Sequence, residues 1–445
     1  MRALRWGIAG ALVIVLAVLA APFVVPLRQW MPQLSELASM RLGQRVALAD
    51  LQLSLWPKPG AIARGVRIGK SNEIVIDEVR LSLAPQTLLD DVPVIDEIRA
   101  RTVSLNEAGL AIITGLTRRA AAASSGRPAG WRIARVVFED VALEHQTLRL
   151  QPFDLTLDFG AGNALARITA VTRDGSFRLS MRPRDAGELA LEVHAKHWRV
   201  PVKGVGLEFT SLVAQGQLRG RTLTLKSVHT AIYDGRVGGE AVLRWGDRWD
   251  LRSALDIRGV DMEKLQRALK RPVKIRGRLT AHALVHSRAK RVGALIDAVA
   301  LDAPFRIEDG ALGGVDLVKA ATLSGEDASR SGETRFDEFT GKLSVRGRAR
   351  RVDDFCARSS ALVAGGNVQV DARERLSGRL DVSVADTAGL IRVPVRLSGT
   401  SSDPIATPSQ LMSVGALIGT LILPGVGTAI GASAANLLEG QVGCS

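Results

Sequence analysis

The sequence predicts a mainly β fold: an elongated, curled antiparallel sheet with few short helices, preceded by a transmembrane helix and followed by an apolar, Gly-rich helical tail. Two observations predict the sheet. Short runs of strictly alternating apolar and polar residues recur between positions 46 and 398, and such alternation is typical of strands that bury one face. Gly, Asp and Asn separate these runs, as expected where antiparallel strands turn back.

The first element is an apolar segment, residues 1–28. Positions 6–27 form a run of 22 residues without a charge. As a helix this run would be about 33 Å long, enough to cross a ~30 Å hydrocarbon core. A cleavable signal peptide is the alternative, because Leu19-Ala20-Ala21 loosely resembles a small-residue cleavage site. The apolar run continues past that point, which favours a retained anchor, and either interpretation exports the rest of the chain.

A helix and a first block of strands follow, residues 29–117. Positions 31–44 carry Leu and Ala at helical spacing, and from Val46 onward the period changes to two. Residues 118–130, rich in Ala, Ser, Gly and Arg, are predicted to be a linker. This linker separates the first block from a longer one.

The longer block, residues 131–408, is predicted to be the extended sheet domain. Two short helices interrupt it, at 261–270 and 315–322. Asp261 is the predicted N-cap of the first of them, and Pro272 lies just past its end. Tyr233-Asp234-Gly235 predicts a turn between two strands.

An apolar tail, residues 409–445, ends the sequence. No charge occurs from 404 to 438. Two pairs of glycines in the tail have the spacing that permits close helix packing: Gly415 with Gly419, and Gly427 with Gly431. Two interpretations stay open. In the first interpretation, the tail is a hairpin that inserts into a membrane or an element for oligomerisation. In the second, it is a buried helix pair that plugs the end of the sheet.

The residues offer no catalytic or metal-binding constellation. The net charge of +14 first admits nucleic acid as a partner, but export of the chain argues against it. His282 and His286 lie in a predicted strand, where residues four apart are separated by about 13 Å. Cys356 is predicted to be a small apolar side chain in a strand. We therefore expect no enzymatic activity, no metal, no cofactor and no nucleic acid.

The apolar faces of the strands are the main functional signal. Few helices are available to cover them, and the aromatic content of 4% is low for a large core. Two arrangements stay open: a sheet curled into a groove that holds acyl chains, or a sandwich of two sheets that bury these faces against each other. In a groove, the candidate lining residues are Phe153, Leu155, Leu157, Phe159, Leu189, Leu191, Val193, Leu380, Val382 and Val384.

Six segments, in order along the chain, carry a family resemblance: residues 39–57, 65–69, 231–239, 307–317, 334–341 and 392–400. The first looks like a short helix that leads into a strand pair. Residues 334–341 read Thr-Arg-Phe-Asp-Glu-Phe-Thr-Gly and are similar to a Thr-x-Phe-x-x-Leu-x-Gly pattern, with Phe339 in place of Leu. In these segments the chain resembles the AsmA family of bacterial envelope proteins, over nearly its whole length to about Pro408.

The resemblance implies a β-groove related to chorein-type bridge proteins, which favours the groove over the sandwich. It implies a single span in the inner membrane with the bulk of the chain in the periplasm, and a role in moving phospholipid toward the outer membrane. The expected partners are phospholipid or another acyl-chain lipid, the inner membrane and, through the tail, the outer membrane or an envelope protein. The alternative function is a scaffold or assembly factor for outer-membrane proteins, which would use strand edges and the tail.

Overall fold

A computed structural model describes residues 31–87, 90–106, 108–109, 112, 131–143, 150–184, 187–201, 206–272, 274–322, 330–386, 389–408 and 444. The prediction of a mainly β fold is confirmed, with 68% of the structure in strands. The predicted anchor (1–28), linker (118–130) and tail glycines Gly415, Gly419, Gly427 and Gly431 lie outside the described residues. Within the described ranges, no helix is both long and apolar enough to cross a membrane.

Among the described residues, the α-helices with both ends defined are short: α1 spans Met31–Leu42, α2 spans Met262–Ala268 and α3 spans Leu317–Thr322. The predicted cap of α2 is confirmed, because the Asp261 carboxylate accepts a hydrogen bond from the Lys264 backbone N–H at 3.0 Å. Asp316 accepts one from the Lys319 N–H at 3.0 Å in the same way, which fixes the start of α3.

The chain forms two compact units, which divide within strand β10 (Glu188–Arg199). The first unit holds residues 1–194 and 201–203, and the second holds 195–200 and 204–445. The strands of the first unit before β10 are β1 (Val46–Ala47), β2 (Asp50–Ser54), β3 (Gly60–Ile68), β4 (Ile74–Leu83), β5 (Val94–Leu105), β6 (Arg132–Leu143), β7 (Phe153–Phe159), β8 (Leu165–Thr172) and β9 (Phe177–Pro183).

The sheet of the first unit is antiparallel except at one place. Strands β1 and β2 both pair with β3, and β3, β4 and β5 follow in order. Strand β6 pairs in parallel with β5, after which β7, β8 and β9 pair antiparallel in sequence. The sheet therefore continues from the strand before the predicted linker to the strand after it.

The second unit contains a long antiparallel meander, in which each strand from β11 to β22 pairs with the next. Its strands are β11 (Glu208–Arg219), β12 (Thr222–Ile232), β13 (Gly235–Arg244), β14 (Trp249–Asp261), β15 (Ile275–Ala289), β16 (Val299–Val315), β17 (Arg330–Arg346), β18 (Ala349–Arg358), β19 (Leu362–Val370), β20 (Leu376–Asp386), β21 (Gly389–Gly399) and β22 (Pro404–Pro408). The turn predicted at Tyr233-Asp234-Gly235 is confirmed. Tyr233 and Asp234 both have positive φ, as a two-residue hairpin turn of the I′ type requires.

Each unit has a packed core among its described residues. In the first unit it lies over β1 and β3–β6 and includes Val46, Ile74 and Val103, with Ala38 and Leu42 of α1 packed against it. In the second unit it lies between α3 and β16–β22, and it includes Leu317, Phe339 and Val382. Strand β22 contacts β16 and β17, and α3 contacts β20 and β21. This part of the second unit's sheet therefore closes around its own core.

A disulfide joins Cys356 of β18 to Cys444, with their Cα atoms 5.3 Å apart. The prediction that Cys356 is only a small apolar side chain is therefore wrong. Gly365 lies directly opposite Cys356 in β19. A Cβ at that position would be 3.1 Å from the Cys444 Sγ atom, so a glycine there leaves room for the second cysteine.

Candidate functional site: the apolar sheet faces

The first unit presents a continuous apolar face on β5–β9, the first-unit apolar face. Residues paired directly across neighbouring strands point to the same side of a sheet. Two rows of paired residues cross these five strands. They consist of Ile98, Val136, Leu157, Ile168 and Met181, and of Ala100, Phe138, Leu155, Ala170 and Leu179. Ala100 belongs to the core of the first unit and Phe138 packs against that core. Apart from Ala100, these side chains are half-buried, so part of the face remains exposed.

The candidate lining residues of β7 belong to this face. Leu155 and Leu157 lie in its two rows, and Phe153 and Phe159 share their side of the strand. All four are half-buried. Strand β7 therefore brings the four side chains together as the alternation predicts.

The other candidate lining residues have two different surroundings. In β10, Leu191 is buried and Leu189 and Val193 are half-buried. In β20, Leu380, Val382 and Val384 are exposed by only 3%, 0% and 8% and belong to the core of the second unit. Because α3 and the phenyl rings of β17 and β18 belong to the same core, these three residues do not line an open surface.

The opposite face of the first unit is charged. Glu139 of β6 forms ion pairs with Arg99 at 2.6 Å and with Arg101 at 3.0 Å. The hydrogen bond between Arg99 and Glu97 raises the pKa of Arg99 above its usual value, and the hydrogen bond from Arg135 to Asp158 does the same for the pKa of Arg135. The sheet is thus two-sided: one face offers aliphatic and aromatic carbon, and the other keeps charged groups paired in water.

A second apolar face, the second-unit apolar face, crosses β12–β16. Two rows of paired residues form it: Thr230, Val237, Ile257, Ala281 and Phe305, and Leu225, Ala241, Ser253, Val285 and Leu301. Sequence reasoning did not single out these residues, because register shifts after Leu225 and after Ile257 break the alternation. Both rows combine small side chains, such as Ala241, Ser253 and Ala281, with larger aliphatic or aromatic ones.

The reverse side of β14 and β15 carries exposed histidines beside carboxylates. His282 Nδ1 lies 2.8 Å from Asp256 Oδ1, and His286 Nε2 lies 3.5 Å from Asp250 Oδ2. A hydrogen bond from Arg288 is the main cause that lowers the pKa of Asp250. In the part of the chain that the structure describes, no three His, Cys, Asp or Glu side chains are placed to hold a metal ion.

Open clefts of 480 and 580 Å³ lie on described strands of the second unit. The larger crosses β12–β17 and includes Arg252, His286 and Arg346. The smaller lies on β18–β21. Neither contains any of the candidate groove-lining residues.

Comparison with known proteins assigns neither a family nor a function to the chain. No family model matches the chain, and neither a curated protein nor a solved structure matches it. The resemblance to the AsmA family therefore stays a prediction, and the function has to be argued from the faces of the sheet.

Proposed function

We propose that the protein is a membrane-anchored periplasmic lipid-binding or lipid-transfer protein, which holds acyl chains on the apolar faces of its sheet as in a hydrophobic β-groove and contributes to phospholipid movement or outer-membrane homeostasis. The first-unit apolar face is the observation that supports this proposal. Its two apolar rows cross five strands, and nearly all of their side chains are half-buried.

The energetics of such a face suit an acyl chain. Transfer of a methylene group from water to an apolar surface contributes about 0.8 kcal/mol when it is fully buried. Contact along one open face buries only part of each methylene, so many methylenes have to contribute together. A row of Ile, Val, Leu and Phe side chains offers this contact without a directional polar group. Chain length and groove width would then decide which lipid binds.

The disulfide supports the proposed compartment. Structural disulfides persist mainly in oxidising compartments such as the bacterial periplasm, and they are rare in the reducing cytosol. Cys356 and Cys444 are the chain's two cysteines, and they are bonded to each other. This pairing fits the export that the N-terminal apolar segment predicts.

Neighbouring residues of β7 allow a matched test. The full chain is purified in non-ionic detergent, and the bound lipid is measured by native mass spectrometry. We expect Leu155→Glu to lose most of the co-purifying lipid, because the new carboxylate would be desolvated by an acyl chain. Thr156→Glu places the same charge on the opposite face of the same strand and should keep the lipid.

Circular dichroism and thermal unfolding check that both variants remain folded. The proposal fails if the parent protein carries no lipid, or if the two variants lose lipid equally while folded. The assembly-factor alternative would be supported instead if both variants lacked lipid and co-purified with outer-membrane proteins to the same extent.

A further inference from the structure

The smaller cleft lies on the side of β18–β21 that faces away from the core of the second unit. Its polar lining consists of Arg351, Asn367, Gln369, Ser377, Arg379 and Arg396. Arg351, Gln369 and Ser377 are paired across three strands, and so are Asn367, Arg379 and Arg396. All six side chains therefore share one face of the sheet.

Two arginines of the cleft stand side by side on neighbouring strands. Arg379 of β20 and Arg396 of β21 are directly opposite each other and exposed. Among the contacts of the described residues, neither forms an ion pair, whereas Arg351 is paired with Asp353 at 2.6 Å. Like charges directly opposite each other destabilise a pair of strands. An anion bound between Arg379 and Arg396 would remove this repulsion.

The neutral side chains of the cleft are arranged to donate hydrogen bonds. Asn367 Oδ1 accepts from the Asp354 backbone N–H at 3.0 Å, which leaves its amide hydrogens available. Ser377 Oγ accepts from Gln369 Nε2 at 3.1 Å, which leaves its hydroxyl hydrogen available. Two guanidinium groups, an amide and a hydroxyl thus present donors to one cleft. Phosphate, with several acceptor oxygens and a negative charge, matches this set, and guanidinium groups bind it bidentately.

We propose that this cleft binds a phosphate group, carried either by a soluble phosphate ester or by the headgroup of an anionic phospholipid. The site lies on the side of β18–β21 opposite the core, and it shares no residue with either apolar face. The proposal therefore goes beyond the acyl-chain function and does not depend on it.

The test uses the full chain in phosphatidylcholine nanodiscs. One arm titrates glycerol 3-phosphate by calorimetry, and the other measures co-flotation with phosphatidylglycerol-containing vesicles against pure phosphatidylcholine vesicles. We expect Arg379→Gln with Arg396→Gln to weaken binding at least about tenfold, which corresponds to about 1.4 kcal/mol. Binding in the first arm identifies a soluble ester as a sufficient ligand, and binding in the second arm alone identifies the lipid headgroup.

A second arginine pair supplies the control. Arg236 and Arg258 are also directly opposite each other, on β13 and β14, and both are exposed, but they line neither cleft. Replacing both by Gln removes the same charge and should leave binding within about twofold of the parent. Equal loss in the two double variants would overturn the proposal, because binding would then follow net charge. Absence of binding to the parent in both arms would overturn it as well.

Discussion

Removing the disulfide between Cys356 and Cys444 should destabilise the second unit by several kcal/mol. The two cysteines are 88 residues apart in the chain. In the unfolded state the bond closes a loop of that length and lowers the conformational entropy of the unfolded chain. The loop-closure relation gives about 4.6 kcal/mol at 25 °C for such a loop. A unit of about 250 residues then loses about 10 °C in its melting temperature.

The assay is differential scanning calorimetry of the oxidised parent, the parent in dithiothreitol, and the C356A/C444A variant. We expect the two proteins that lack the bond to melt at similar temperatures, below the oxidised parent. Dithiothreitol should not change the melting temperature of C356A/C444A, which controls for effects of the reductant alone. The reasoning would be refuted if dithiothreitol left the melting temperature of the parent unchanged while alkylation and mass spectrometry showed both thiols to be reduced.

Two further predictions concern the sheet. Val382→Ala, in the closed core at 0% exposure, should lower the free energy of unfolding by about 2 kcal/mol. Leu157→Ala should lower it less, although it removes more atoms, because Leu157 is half-buried. If urea unfolding gives the larger loss for Leu157→Ala, the face that contains Leu157 is covered. Because the pKa of Asp250 is lowered in the folded state, its stabilising contribution is fully present above about pH 4 and is lost as the pH falls further. Urea unfolding should therefore show that Asp250→Asn is less stable than the parent at neutral pH and that the difference shrinks in acid; a constant difference would contradict this.

Local patterns in the sequence predicted much of the secondary structure. Alternation located β7, β10 and β20, and the Asp261 cap located α2, because each depends on residues close together in the chain. The same alternation occurs at Leu155 and Leu157 as at Leu380 and Val382. Only the second pair is buried in a core, because α3 and the contact of β22 with β16 close that part of the sheet. Alternation identifies which residues share a face and carries no information on what covers it.

Contacts between residues far apart in the chain could not be predicted, because local patterns carry no information on which distant segments meet. Nothing near Cys444 points to Cys356, although two cysteines in an exported chain are a signal for a pair. The adjacency of Arg379 and Arg396 depends on the register between β20 and β21. In a chain with 59 Lys and Arg residues, neither arginine stands out until that register is known.

Each unit combines a packed core with apolar rows whose side chains are mostly half-buried, and the proposed lipid binding would use such rows. Half-buried apolar rows forgo part of the stabilisation that burial would give, so the fold has to be stabilised elsewhere. In the first unit, the core over β1 and β3–β6 provides this stabilisation. In the second unit, the closed core around Val382 and the disulfide stabilise the fold. A sandwich of two sheets would bury the rows on β5–β9 fully, and their half-buried side chains therefore favour the groove.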